Sequence, residues 1–188
     1  MFFTTLRARY ARSARWSALA AIAGVALVAG AARPWVNTAA SIFGGPWISI
    51  ESPVNPYDAS TRGALFVVHT FRHGNPMDMG MTGKAEGLVD GQRRSVSFRV
   101  DKATSAGTYA VRRQWADKGI WTLVITATAT DHGPGEQLQA VVEIGADGEM
   151  GKVSVPRNER GAFRMVASAE IERSLKERAK LPVAVGSR

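Results

Sequence analysis

Hydrophobic and polar positions alternate in short runs through the middle of this chain, and Gly, Pro, Asn and Asp separate the runs. The clearest alternation covers residues 95–100, where Val96, Phe98 and Val100 are the apolar members. Successive side chains of a strand point to opposite faces, so this spacing predicts half-buried β-strands. The predicted strands lie at residues 47–50, 62–73, 79–89, 95–100, 107–115, 121–128, 137–144 and 152–155. The pattern indicates an all-β fold, an immunoglobulin-like antiparallel β-sandwich of seven or eight strands over residues 47–156.

Local patterns predict how some of these strands are placed. Glycines at 80, 83 and 87 dilute the run at residues 79–89, which favours an edge strand or a bulged one. The Asp90-Gly91 dipeptide that follows is typical of a tight hairpin. In the run at residues 121–128 the apolar side chains share one face, and we expect its threonines to face water. The predicted inward residues are Tyr109, Val111, Trp115, Trp121, Leu123, Ile125 and Ala127, and the predicted outward ones are Thr122, Thr126 and Thr128.

The end of the chain carries a different period. Ala167, Ile171, Leu175 and Ala179 recur at every fourth position, which predicts a helix over about 167–180 within a C-terminal extension at 157–188. A helix of that length with a narrow apolar stripe is marginal alone in water. It should therefore dock on the sandwich or on a partner protein.

The first 33 residues contain five arginines and no acidic residue, and the stretch from Trp16 to Ala32 has Ser17 as its only polar member. This pattern predicts an export signal at residues 1–32, cleaved after Ala31 or Ala32, or else an uncleaved membrane-anchor helix. Residues 33–46 are expected to form a linker. Because four of the five arginines precede the apolar stretch, either interpretation places the domain in the periplasm or otherwise outside the cytoplasm, secreted or anchored by this segment.

Composition excludes several kinds of chemistry. The chain has no cysteine, so thiolate metal sites, Cys nucleophiles and disulfides are ruled out. Its net charge of +8 includes the five arginines of the first 33 residues, and the other 19 basic residues are set against 16 acidic ones. The basic residues are scattered among acids, so we expect no nucleic-acid partner. Nucleophile-elbow, zinc-protease, Walker and dinucleotide motifs are also absent, which favours a protein that is not an enzyme.

One segment contains residues that could bind a metal. His69 and His73 would share a face of an extended strand, as would Met77, Met79 and Met81. Imidazole and thioether groups suit copper, and thioethers favour Cu(I). In the alternative interpretation the methionines fill the core and the histidines are ordinary strand residues. No cofactor is expected otherwise, and His132 is a candidate additional ligand.

A stretch in the second half of the predicted sandwich resembles a known family. Gly107-Thr108-Tyr109, Trp115 and residues 118–125 resemble the closing hairpin of YtkA-like and FixH-like exported immunoglobulin-fold proteins, which tend to carry methionines about where Met77 to Met81 lie. The resemblance implies a non-catalytic envelope module, linked in some members to copper handling or oxidase assembly.

The sequence therefore predicts a non-catalytic cell-envelope binding or scaffolding module with an envelope protein as its partner. It would contact the membrane through its N-terminal segment if that segment is uncleaved. A periplasmic copper-handling protein with Met and His ligands is the first alternative. An accessory domain of an envelope enzyme is the second.

Overall fold

The computed structural model of this protein describes residues 45–129 and 136–180, so the predicted leader, nearly all of the predicted linker and His132 lie outside the described residues. Within these ranges the chain forms ten strands and one α-helix. In chain order they are β1 (Pro46–Glu51), β2 (Phe66–Arg72), β3 (Asn75–Pro76), β4 (Gly80–Val89), β5 (Gln92–Phe98), β6 (Asp101–Lys102), β7 (Thr108–Val111), β8 (Ile120–Ala129), β9 (Glu136–Ile144), β10 (Met150–Ser154) and α1 (Ser168–Ala179).

The strands form two five-stranded sheets in which every pairing is antiparallel. The first sheet has the order β1-β2-β7-β6, with β3 also paired to β2, and the second has the order β10-β9-β8-β4-β5. This confirms a mostly β fold with two antiparallel sheets and a C-terminal helix. The first described strand begins at Pro46 and the last ends at Ser154.

One apolar core joins the two sheets, because alternate residues of each sheet point towards the other. Burying each large side chain of this kind contributes about 1.5–3 kcal/mol. Trp115, which follows β7, is buried in this core. Its strand members are Ile48, Phe66, Val68, Tyr109 and Val111 from the first sheet and Ala85, Phe98, Trp121, Leu123, Ile125, Ala127, Ala129, Leu138, Ala140, Val142 and Ile144 from the second. All seven side chains predicted to point inward are therefore buried.

The glycine-rich strand β4 is neither an edge strand nor a bulged one, so that prediction is wrong. β8 pairs with residues 80–88 of β4 on one side and β5 pairs with residues 83–89 on the other, both in unbroken register. The ring of Phe98 lies where a Cβ of Gly83 would be, and the ring of Trp121 does the same at Gly87. The glycines therefore provide space for two core aromatics, and the neighbouring strands supply the apolar area that β4 lacks.

The predicted hairpin after β4 is confirmed. Asp90 and Gly91 have φ values of 51° and 75°, and Val89 pairs with Gln92 across the turn. Positive φ at both central residues is the geometry of a two-residue turn that matches the twist of its strands. Asp and Gly tolerate this backbone better than other residues do.

Helix α1 docks on the outer face of the second sheet, the face turned away from the first sheet. Ile171 and Leu175 pack against Val124, with Leu88, Ile120 and Val166 around them. The helix was predicted to dock on the sandwich or on a partner protein, and in the structure it packs on the sandwich. It also covers Thr122, which is only 1% exposed and was predicted to face water. That prediction is wrong because strand alternation identifies a second face without showing what covers it.

Candidate functional site

A groove of about 480 Å³ lies on the outer face of the second sheet, beside the N-terminal end of α1. Its floor is polar and its wall is largely apolar. The floor includes Thr82 and Lys84 of β4, Ser97 of β5 and Thr126 of β8, and the wall includes Val166 and Ile171. It is therefore a concave surface that combines hydroxyl, ammonium and aliphatic groups.

Strand register explains why these side chains meet. Thr82 pairs with Thr126 across β4 and β8, and Lys84 pairs with Ser97 across β4 and β5. Directly paired residues project from the same face of a sheet. The intervening positions of β4, such as Ala85, point into the core instead. The groove floor is thus built from the outward-facing polar residues of these strands, and their inward-facing apolar residues hold the two sheets together.

Glu86 is the centre of the charges in the groove. Its carboxylate contacts Lys84 Nζ at 2.7 Å and Arg93 Nη2 at 3.1 Å, and accepts a hydrogen bond from Ser95 Oγ at 2.9 Å. Burial acts to raise the pKa of Glu86, but the hydrogen bonds from Lys84 and Ser95 and the two positive charges outweigh burial, so the pKa lies below its ordinary value. Near neutral pH this group is an ionised acceptor, not a proton donor.

Arg93 connects the groove to the helix. Its guanidinium forms ion pairs with both Glu86 and Glu172 of α1, and Nη1 donates to Gly87 O at 3.2 Å. A planar guanidinium can serve several acceptors at once. Arg93 therefore holds the edge strand β5, the floor strand β4 and the helix in one arrangement.

The apolar wall is fixed by polar contacts at the start of the helix. Gln139 is 7% exposed, and its Oε1 accepts from Val166 N at 2.7 Å while its Nε2 donates to Thr126 Oγ1 at 3.0 Å. Arg164 donates to both carboxylate oxygens of Glu170 at 2.8 and 2.9 Å, which lowers the pKa of Glu170. These contacts attach the segment before the helix to the sheet beside the groove.

The histidines of the predicted copper site lie apart from the core. His69 is on the outer face of the first sheet, with Nε2 2.7 Å from Glu51 Oε2 and Nδ1 3.4 Å from Thr108 Oγ1. His73 lies in the exposed turn after β2 and has a φ of 50°. The two residues therefore occupy different surroundings, one in a strand and one in a turn.

The three methionines of that site belong to the core. Met79 is 7% exposed, and its backbone N–H donates to Tyr109 OH at 2.6 Å, while Tyr109 OH donates to Met79 O at 2.9 Å. Met77 and Met81 are half-buried and pack against the same core. The methionines thus pack against the core between the sheets, whereas His69 lies on the outer face of the first sheet. Within the described ranges, no three His, Asp or Glu side chains are grouped closely enough to hold a metal ion.

Copper binding stays a prediction that a titration can test. The full chain would be titrated with Cu(I) against a chromophoric competitor, together with the Met79→Leu and Met81→Leu variants. Leucine keeps the apolar volume and removes the thioether. Loss of uptake in these variants would support the copper interpretation, and absence of uptake by the natural protein would contradict it.

Sequence reasoning missed the groove, although its residues carried a signal. Lys84 and Glu86 alternate with Gly83 and Ala85, which marks them as outward residues of a strand. Nothing in that pattern indicates that β5 and the start of α1 converge on them. Gln139 lies among apolar residues in β9, and its role depends on the distant Val166.

Comparisons with protein-family models, with curated proteins and with solved structures find no match. The resemblance to YtkA-like and FixH-like proteins therefore stays a prediction. In the part of the chain that the structure describes, no helix has both the length and the apolar character needed to cross a bilayer.

Proposed function

We propose that this protein is a non-catalytic binding module of the cell envelope, with an immunoglobulin-like sandwich as its body. The leader pattern at residues 1–32 supports export or anchoring. The two antiparallel sheets packed through one core support the sandwich. The groove beside α1 supports binding, and it is the observation that carries the proposal.

The size and chemistry of the groove suit a ligand with polar groups. Its volume of about 480 Å³ falls in the range of sites for small molecules and peptide side chains. Thr82, Ser97 and Thr126 place hydroxyls on its floor, and Lys84 adds an ammonium group. The carboxylate of Glu86 is engaged with its neighbours, so it shapes the groove and does not act as a general acid. A groove of this kind selects a partner by hydrogen bonds and shape.

A photocrosslinking experiment in cells tests this function. The full chain with its natural leader would carry a photoreactive residue at Ser97 in the groove or, as the matched control, at Lys152 on the distant edge strand β10. We expect envelope-fraction adducts from position 97 that position 152 does not give. Adducts that contain an enzyme would favour the accessory-domain alternative. Equal adducts at both positions, or retention of the chain in the cytoplasm, would contradict the proposal.

A further inference from the structure

Strand β5 is an edge of the second sheet, and its pairing shows which of its backbone groups point outward. Val89 and Gln92 flank the two-residue turn, so they form a hydrogen-bonded pair. In an antiparallel ladder such pairs alternate with pairs that are not hydrogen-bonded to each other. The N–H and C=O groups of Arg93, Ser95 and Ser97 therefore point away from β4. Among the described residues, no group bonds to these six backbone groups.

Arg99 is the next residue whose backbone groups point away from β4, and these groups do have hydrogen-bond partners. Gln114 Oε1 accepts from Arg99 N at 3.0 Å, and Gln114 Nε2 donates to Arg99 O at 2.9 Å. A side-chain amide thus takes the place of a neighbouring strand at Arg99. Gln114 does not reach the backbone of Ser97, so the open edge extends from Arg93 to Ser97.

The opposite edge of the same sheet is protected differently. The pairing of β10 with β9 is irregular between Met150 and Val153, and Pro156 follows soon after the strand. Irregular register and proline are common means of preventing unwanted strand pairing. β5 is seven residues long and regular, so it is the better template for an added strand.

The charge on β5 identifies the kind of strand that fits. Residues 91–100 contain three arginines and no acidic residue. Arg93 is engaged with Glu86 and Glu172, but Arg94 and Arg99 are exposed and form no ion pair with any residue in the described ranges. Among the described residues, the side chain of Arg94 forms one hydrogen bond, which it donates to Gln92 Oε1 at 3.1 Å. An incoming segment would therefore gain by carrying carboxylates.

We propose that the β5 edge binds an extended acidic segment of an envelope protein by strand addition. This inference rests on the proposed function and names the chemistry of the partner. Backbone hydrogen bonds to Arg93, Ser95 and Ser97 hold the segment. Arg94 projects from the same face of β5 as Val96 and Phe98, so carboxylates on that face of the segment meet Arg94, and a carboxylate on its other face meets Arg99. Side chains on its outer face extend along the groove, because Arg93 and Ser97 also line that groove.

A second copy of the chain fits this edge less well. Antiparallel pairing of two β5 strands centred on Ser95 would place the two Arg94 side chains diagonally on one face of the extended sheet. Like charges at that separation disfavour the pairing. The acidic strand avoids this repulsion and replaces it with attraction.

Fluorescence anisotropy with the full chain in a mild detergent tests the inference. The probe is a labelled peptide that alternates Glu with Val, and the control peptide has Lys in place of Glu. We expect the acidic peptide to bind and the basic one not to bind. Arg94→Glu should weaken binding about tenfold, whereas Lys152→Glu on β10 should leave it unchanged.

A backbone substitution separates strand addition from simple charge attraction. Ser95→Pro removes an outward N–H and leaves the ladder to β4 intact, so binding should weaken about tenfold. Ser95→Ala is the matched control, because it loses the same hydroxyl and keeps the N–H. Both variants must unfold at similar temperatures for the comparison to count. In addition, the amides of Arg93, Ser95 and Ser97 should gain protection from hydrogen exchange when the acidic peptide is bound.

Three results would overturn the inference. Unchanged binding by Ser95→Pro, with equal binding to phosphatidylglycerol vesicles, would indicate charge attraction alone. Equal binding of the Glu and Lys peptides would remove the acidic preference. A dimer in sedimentation that Ser95→Pro dissociates would make a second copy the occupant. If the peptide fails to bind while position 97 still gives envelope adducts, the proposed function stands and the acidic strand does not.

Discussion

The two faces of the second sheet are built from the same strands and are stabilised in different ways. The inner face packs apolar side chains against the first sheet, with the rings of Phe98 and Trp121 over glycines of β4. The outer face is covered in part by one helix, whose apolar contacts centre on Ile171 and Leu175. Beyond the helix the same face opens into the groove. Apolar packing is thus concentrated on one face, and the groove lies on the other.

Arg178 shows how far the outer face depends on polar contacts. Its side chain is 16% exposed, and it donates to Trp121 O at 3.2 Å, Ile144 O at 3.1 Å and Thr122 Oγ1 at 2.6 Å. Burial lowers the pKa of Arg178, and the nearby carboxylate of Glu143 opposes that change. We therefore expect the helix to loosen without unfolding of the core.

The largest expected difference is between two fully buried leucines, Leu123 on the inner face and Leu175 under the helix. Leu123→Ala should lower the free energy of unfolding by about 4 kcal/mol, and Leu175→Ala by about 2.5 kcal/mol. Hydrogen-bonded strands on both sides cannot close around the first cavity, whereas the helix can settle into the second. Chemical denaturation of the full chain measures both. Equal losses would contradict the contrast between the faces.

The glycines of β4 test the inner face in the opposite direction, by adding volume. Gly87→Ala should cost about 3 kcal/mol, because the new methyl group overlaps the Trp121 ring. Gly80→Ala is the control in the same strand, where the nearest atom to a new Cβ is Thr128 O at 3.7 Å. Its effect should stay within about 0.5 kcal/mol. Thermal unfolding of the two variants would refute this account if it gave equal stabilities.

Removing Arg178 tests the polar attachment of the helix. Arg178→Ala leaves two backbone carbonyls without that donor and should cost about 2 kcal/mol. Lys176→Ala, at an exposed position of the same helix, should change stability by less than about 0.5 kcal/mol. Hydrogen exchange should become faster in α1 and remain unchanged in β8. Faster exchange throughout β8 would show that the helix and core unfold as one unit.

The smallest expected effect is the acid sensitivity of the groove. The pKa of Glu86 lies below its reference value of 4.5, so unfolding at acidic pH is accompanied by proton uptake. The stabilisation is present above that reference value and is lost as the pH falls through the folded-state pKa. Glu86→Gln should therefore cost about 1 kcal/mol or less at pH 7 and flatten the loss of stability below pH 5. Leu123→Ala should keep the natural pH profile. A profile for Glu86→Gln that superimposes on that of the natural protein would show that the outer charges add no stability.

The structure of a segment was predicted correctly where its apolar residues recur with a clear period. Alternation placed Tyr109, Trp121 and Leu123 in the core correctly, because a strand with one buried face leaves a period of two in its sequence. The period of the C-terminal helix was equally clear. The glycine-rich strand β4 was wrongly predicted to be an edge or bulged strand. The space above its glycines is filled by Phe98 and Trp121, which lie in other strands, so the local sequence does not show it.

Local patterns in this chain were enough to establish its β-rich class, the hairpin at Asp90-Gly91 and the C-terminal helix, since each depends on neighbours a few residues apart. Contacts over long sequence separations account for the rest. They buried Thr122 under Arg178, brought Gln139 to Val166 and joined Arg93 to Glu172 of the helix. A period of two separates the faces of a strand but does not show which element covers each face. That depends on how the sheets and the helix pack, and the groove and the open edge of β5 result from that packing.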